Sequence, residues 1–510
     1  MRLELRGIVK RFGPLVANDV VDLTIESGEI HSLLGENGAG KTTLMNVASG
    51  VYRPDGGELL IDGRAVSFSS SRDAIAAGVS MVHQHFALVP VFTAAEAILL
   101  GAEPVKGPFG WFDRQAAGRL IRERAEQFGL VVDPDAIVER QPVGVQQRIE
   151  IMRALMHNAR VLILDEPTAV LTPQEVEQLF GVMRRLRDDG RAIVFISHKL
   201  GEVKEISDRI TVMRAGGVVG SADPTRASPA DLANMMVGRP VMLEVVKPPA
   251  EQGSVSLRVE HLSATDGRGN LAVDDVSFDV RAGEILAVAG VQGNGQTELV
   301  RCIYGLLPAE DGRVSVCGQD ITGHSPRDIA KAGVGYIAED RGGEGLAMSL
   351  SVADNLVLGL HDDPQYRRGV WVNRNAVLQN AKARMREYDI RGAGINQSVS
   401  ALSGGNQQKV ILARELSRDL QVLIASQPTR GLDVGSVETV HQRLLEERSK
   451  GVAVLLVSVE LDEVQALADR ILVMYRGQVV GVVGPETDRS ALGLMMAGGA
   501  DTGLGAEVAQ

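Results

Sequence analysis

The sequence predicts an α/β protein built from two homologous domains, each a P-loop α/β core carrying a helical subdomain. Three observations predict it. A long internal repeat divides the chain, a glycine-rich loop follows an apolar strand early in each half, and β-branched runs alternate with amphipathic helical stretches. The 510 residues, 45% hydrophobic and 23% charged, have ordinary globular composition and exclude a mostly disordered chain. A net charge of −12 argues against a nucleic-acid coat or a polybasic membrane binder. Two cysteines, Cys302 and Cys317, exclude a disulfide framework and a cysteine-rich metal site, so a reducing cytosol is expected.

Taken in order, Met1–Lys10 alternates like a strand and lacks the apolar centre of a signal peptide. Nowhere do about 18 consecutive apolar residues occur, so no membrane span is expected. The repeat is explicit: Gly28-Glu29-Ile30 recurs as Gly283-Glu284-Ile285, and Asp208-Arg209-Ile210 as Asp469-Arg470-Ile471. The spacing between equivalents grows from 255 to 261 residues, which predicts an insertion in the second copy around His361–Trp371. The domains follow as 1–240 and 254–498, joined by a linker at 241–253 whose prolines stiffen it, with a flexible tail at 499–510. Within the first half, Arg160–Leu164 and Arg191–Ile196 read as buried parallel strands. Pro173–Asp189 and Arg114–Gln127 read as helices, the second marking the helical subdomain.

The first glycine-rich loop runs Gly35-Glu36-Asn37-Gly38-Ala39-Gly40-Lys41-Thr42-Thr43, between a strand and a helical pattern. In that context the backbone N–H groups curl around phosphates, Lys41 reaches the β/γ-phosphates and Thr42 holds Mg²⁺. Val161–Leu164 is an apolar strand ending in Asp165 and Glu166. Such a pair after a P-loop suits a metal-holding aspartate and a glutamate that polarises the attacking water.

With these motifs the chain resembles the ATP-binding cassette family, and the resemblance covers nearly the whole chain, twice. It implies ATP and Mg²⁺ as cofactors. It makes Gln84 the glutamine that joins the nucleotide and metal site to the helical subdomain, His198 the switch histidine at the γ-phosphate, and Phe12 the aromatic that stacks on adenine. His83 and His85 carry no assigned role.

The second half keeps the frame and loses the chemistry. Its loop has Gly290, Gly293 and Gly295 but Gln296 in place of the lysine, before Thr297. Ser426 and Gln427 replace the carboxylate pair, Val459 stands where His198 stood, and Glu339 where Gln84 stood. Neither Ser426 nor Gln427 supplies an anionic metal ligand or a carboxylate base. The signature segments invert the pattern. Ser403-Gly404-Gly405-Asn406 is intact and suits a γ-phosphate, as does the later Asp433, whereas the first half has Pro142, Val143 and Gly144, with Thr172 at the Asp433 position. Cassette proteins close head-to-tail, so the resemblance places every intact part in one composite site and every degraded part in the other.

Tandem cassettes of this kind energise importers or act on ribosomes. The short linker and the degraded site favour the importer, and a ribosome-associated translation factor is the alternative. The resemblance implies an ATP hydrolase on the cytoplasmic face of the membrane, docked on two integral-membrane permease subunits, with an extracytoplasmic binding lipoprotein as indirect partner and no nucleic acid. Val82-His83-Gln84-His85-Phe86 and Gln427-Pro428-Thr429-Arg430-Gly431 look most similar to the nucleoside branch of the sugar and nucleoside uptake class.

Overall fold

The computed structural model describes residues 1–83, 87–107, 109–168, 171, 173–197, 199–240, 247–249 and 252–498. Gln84, His85, Phe86, Val170, Thr172, His198 and the tail at 499–510 therefore lie outside the described residues. The chain divides into two compact units, Met1–Leu243 and Glu244–Gln510.

In the first unit the strands Ile30–Gly35, Val161–Asp165 and Ala192–Ile196 are buried along their whole length. Their composition follows from that. A parallel strand covered on both faces has no solvent side, so it reads as a continuous apolar run. The six strands stand in the order Gly217–Ala222, Arg209–Arg214, Ile30–Gly35, Ala192–Ile196, Val161–Asp165, Val79–Val82, and all pairings are parallel except the first. A four-stranded antiparallel sheet holds Leu3–Phe12 and Leu15–Ile25. Its Leu3, Leu5 and Ile8 share one core with Leu44 and Val47 of the helix Lys41–Ala48 and with Val161 and Ile163. Each such buried side chain stabilises by about 1.5–3 kcal/mol relative to exposure. Parallel strands point the same way, so their C-terminal ends gather the P-loop and the Asp165–Glu166 corner at one edge, where open α/β sheets hold ligands.

The second unit repeats the plan in the same strand order: Gln478–Val483, Arg470–Tyr475, Ile285–Ala289, Ala453–Ser458, Val422–Ser426, Val334–Ile337. The two motifs that recur in the sequence turn out to meet. The Ile30 N–H donates to Asp208 at 2.8 Å and Arg209 pairs with Glu29 at 3.0 Å. Likewise the Ile285 N–H donates to Asp469 at 2.9 Å and Arg470 pairs with Glu284 at 2.5 Å. These repeated residues clamp the start of the central strand, so their recurrence reports the fold rather than the chemistry.

The helix Arg114–Phe128 begins where Asp113 accepts from the Gln115 and Ala116 N–H groups and ends at Gly129, whose φ of +65° suits glycine. Immediately before it, Val105–Lys106 and Trp111–Phe112 form a two-stranded hairpin. In the second unit Arg367–Arg368 and Trp371–Val372 do the same ahead of the helix Arg374–Glu387. Both tryptophans of the chain sit on these hairpins, 69% exposed at Trp111 and 77% at Trp371.

These equivalences correct the placement of the insertion. Thr93 and Ser351 cap matching short helices, and each also bridges a matching position, Ile137 and Ser398. Half of the additional residues therefore lie between Glu339 and Ser351, where a single wide turn covers Arg341–Gly345, rather than around His361–Trp371. Among the described residues no helix is long and apolar enough to cross a membrane.

Candidate functional site

In the first unit the P-loop turns from the strand Ile30–Gly35 into the helix Lys41–Ala48 through Gly40, at φ +96°. A Cβ on Gly40 would stand 2.3 Å from the Ala17 carbonyl oxygen, so the helix start closes on the neighbouring strand only with glycine there. Lys41 is buried, and its Nζ donates to the carbonyls of Gly35 at 2.7 Å and Glu36 at 3.0 Å. The ammonium thus sits inside the loop that its neighbours' amides frame. Asn37, Gly38 and Thr42 are exposed and Thr43 is half-buried.

Asp165 ends its strand beside Ile196 in register and is 4% exposed. Burial pushes its carboxyl up from the ordinary value, and a hydrogen bond from the Thr42 hydroxyl opposes the rise. Glu166 adds to the rise, whereas Lys41 and His83 counter it. A buried carboxylate next to a hydroxyl at a helix N-terminus supplies hard oxygen donors of the kind Mg²⁺ takes beside phosphate and water. The residues present fit that ion. Among the described residues no group of three or more His, Cys, Asp or Glu could hold a metal ion.

Glu166 is held at φ +48°, a conformation that non-glycine residues adopt at a cost of about 1–3 kcal/mol, and its N–H bonds the Ile196 carbonyl at 2.9 Å. Phe12, 42% exposed at the end of its strand, meets Tyr52 edge-on with centroids 5.4 Å apart. The Lys10 ammonium stands over the same ring, 5.6 Å from its centroid. His83 carries no assigned role on sequence grounds, yet it follows the strand Val79–Val82, which pairs with Val161–Asp165 and so brings it towards Asp165. Nothing in its spacing signals this, because Asp165 reaches it across paired strands.

The second unit reproduces the backbone. Gly295 stands at φ +98°, and its Cβ would fall 2.1 Å from the Ala272 carbonyl. Gln296 is buried like Lys41, its Nε2 donating to the Val291 carbonyl at 3.3 Å. Gln427 sits at φ +47°, its N–H bonded to Val457 at 2.8 Å, and its Oε1 accepts from the Val459 N–H at 3.4 Å. Ser426 closes the strand and is buried. Glu339 accepts from the Thr297 hydroxyl at 3.1 Å and from Arg430 at 2.5 Å, and Arg341 donates to the Arg430 carbonyl at 2.8 Å. Arg341 and Arg430 were missed from the sequence.

At the signature, Ser403 caps the helix Gly404–Glu415 and accepts from the Asn406 side chain at 2.9 Å. Gly405 lies against Ser436, whose Oγ a Cβ there would approach to 2.3 Å, and Asp433 caps the next helix by accepting from the Ser436 N–H at 2.8 Å. The corresponding helix Val143–Met156 starts at Pro142, with no side-chain cap. A Cβ on Gly144 would stand 2.2 Å from Glu175 Oε1, so the close packing survives there without the hydroxyl.

The sequence matches the ABC transporter family over residues 18–169 and 273–430. It is 45% identical to the nucleoside import ATP-binding protein NupA of Lactococcus lactis subsp. cremoris, covering 98% of both chains. It is 44% identical to the glucose import ATP-binding protein TsgD13 of Haloferax volcanii, covering 98% of this chain and 96% of that one. Among solved structures, an archaeal ribosome recycling factor, crystallised with a ribosomal stalk protein, aligns at a TM-score of 0.61. It covers 94% of this chain and 90% of that one, at 18% identity, and so shows the fold alone.

Proposed function

The chain belongs to the ABC transporter family, and on that footing we propose that it is the ATP-hydrolysing subunit of a nucleoside importer, docked on the cytoplasmic side of two membrane permeases. One observation carries the reading: the first unit holds Lys41, Thr42, Asp165 and Glu166 at the edge of one sheet, and the second keeps the same backbone with Gln296, Ser426 and Gln427 there. One site is built to hydrolyse and the other is not.

Thr42, Asp165 and the Gln84 side chain would hold Mg²⁺, which would supply charge neutralisation at the phosphates. Lys41 leaves the Gly35 and Glu36 carbonyls for phosphate oxygens, and the loop amides of Asn37–Thr43 cradle the rest. Glu166 orients and deprotonates the attacking water, His198 holds the γ-phosphate, and Phe12 stacks on the adenine. We assign the remaining donors to Ser403, Gly404, Gly405, Asn406 and Asp433 in head-to-tail pairing of cassettes. ATP then holds the halves closed and hydrolysis resets them.

The nucleoside rests on the Val82–Phe86 and Gln427–Gly431 segments, because an ATPase subunit never touches the cargo. Uptake of labelled nucleoside in cells deleted for this chain, restored by the wild type, tests it; loss of ribose or glucose uptake instead, with nucleoside uptake intact, reassigns the cargo. The acidic charge, the short linker and the Gln296, Ser426 and Gln427 replacements stand against ribosome work.

Two further outcomes follow. Gln84→Ala lowers transport more than the basal ATPase of the free subunit, measured side by side in proteoliposomes and in solution. Equal losses leave Gln84 a metal ligand with no part in transmission. Gln296→Lys alone leaves the rate of phosphate release unchanged, since Ser426, Gln427 and Val459 still lack the required groups; a doubling refutes the reading of the second site.

A further inference from the structure

The two units differ in where the P-loop threonine directs its hydroxyl. Thr42 bonds Asp165, the anionic group at its strand end. The second unit has Ser426 at that strand end, and Thr297 instead donates to Glu339 at 3.1 Å. Glu339 occupies the position of Gln84, so a neutral amide has become a carboxylate. Its other oxygen takes Arg430 Nη1 at 2.5 Å. Both oxygens are therefore engaged, one by a hydroxyl and one by a guanidinium that stays charged at any working pH.

Arg430 is seated from both sides of its own backbone. Its N–H bonds the Gln427 carbonyl at 3.1 Å, and its carbonyl accepts from Arg341 at 2.8 Å. Arg341 is half-buried, and burial followed by the Arg430 charge pushes its pKa down, the mark of two guanidinium groups converging on one cleft. That cleft, of about 530 Å³, is lined by Thr297, Glu339, Asp340, Arg341, Glu344 and Arg430; Asp340 is engaged by the Gly342 and Gly343 N–H groups, and Glu344 by Arg301 and the Tyr336 hydroxyl. A divalent ion brought to Thr297 would face Arg430 at close range and would have to take Glu339 away from it. The residues there do not fit Mg²⁺.

We propose that the nucleotide site of the second unit takes no divalent cation, because Arg430, held by Glu339 beside the Thr297 hydroxyl, is its built-in one. This rests on the reading of the two sites given above, and it turns the loss of the metal-holding aspartate into an exchange: a fixed organic cation in place of an exchangeable inorganic one.

Counting bound Mn²⁺ by electron paramagnetic resonance on the full chain, saturated with a non-hydrolysable ATP analogue, tests it. Wild type holds one Mn²⁺ per chain, Arg430→Lys also holds one, and Arg430→Ala holds two because the Glu339 oxygen that Arg430 held is released. Arg430→Ala combined with Glu339→Gln returns to one, and Asp165→Asn in the wild-type background removes the remaining ion. Two ions in the wild type, or a single ion in Arg430→Ala, overturns the inference. No ion in the wild type but one in Arg430→Ala leaves it standing and overturns the assignment of the first site.

Discussion

Glu166→Gln stops steady-state ATP hydrolysis while leaving ATP bound. Loss of a positioned general base costs about 10²–10⁴ in rate, and Lys41, Thr42 and Asp165, to which we assign the phosphate and metal, stay in place. The substitution is structurally quiet for a reason visible in the molecule. Gln427 already occupies the equivalent corner at φ +47°, against +48° at Glu166, with the same backbone bond to the neighbouring strand. A glutamine is thus accommodated in that left-handed conformation, and the loss is chemical. Phosphate release measured against equilibrium binding of ATP separates the two. Turnover within a few-fold of wild type means that another group activates the water.

Ser403→Ala is the second large effect, about 10²–10³ in rate, the usual cost of removing one donor to transition-state charge. The Ser403 hydroxyl also caps the helix Gly404–Glu415, and losing a cap costs about 1 kcal/mol. Thermal unfolding measured in parallel shows whether that small loss accounts for anything. Pro142→Ser is the control, since it adds a hydroxyl to the helix Val143–Met156, whose signature we pair with Gln296 and Gln427. It leaves the rate within about two-fold of wild type. Equal sensitivity at Ser403 and Pro142 removes the asymmetric pairing of sites from the mechanism.

Much of this was legible in the sequence because it is local. The strand–loop–helix at Gly35–Thr43, the apolar run into Asp165 and the helix at Arg114–Gln127 each declare themselves within a few residues, through glycine spacing, an unbroken apolar run or an Ala-, Arg- and Glu-rich composition. Groups joined across the fold were not legible. Arg430 and Glu339 lie 91 residues apart, and an arginine in a turn after a strand reads as solvated until the carboxylate that holds it is seen. His83 failed to register for the same reason. Half of the additional residues of the second copy were misplaced because the spacing gives their number and not their position; the caps at Thr93 and Ser351 were needed to locate that half before Ser351, around the Arg341–Gly345 turn. The recurring Asp208-Arg209-Ile210 motif marks the repeat in the sequence, and only its contacts with Glu29 and Ile30 show why it recurs: it is a strand clamp.

The two hairpins ahead of the helical subdomains have a practical side. The chain holds two tryptophans, Trp111 and Trp371, one on each hairpin and both largely exposed. Ultraviolet excitation at the red edge therefore reports from one matched point in each half, without any attached dye. Trp371→Phe leaves an emitter in the first half alone, and Trp111→Phe leaves one in the second. Titrating each single-emitter chain with nucleotide, and reading emission wavelength and quenching by iodide, follows the two cassettes as separate optical channels.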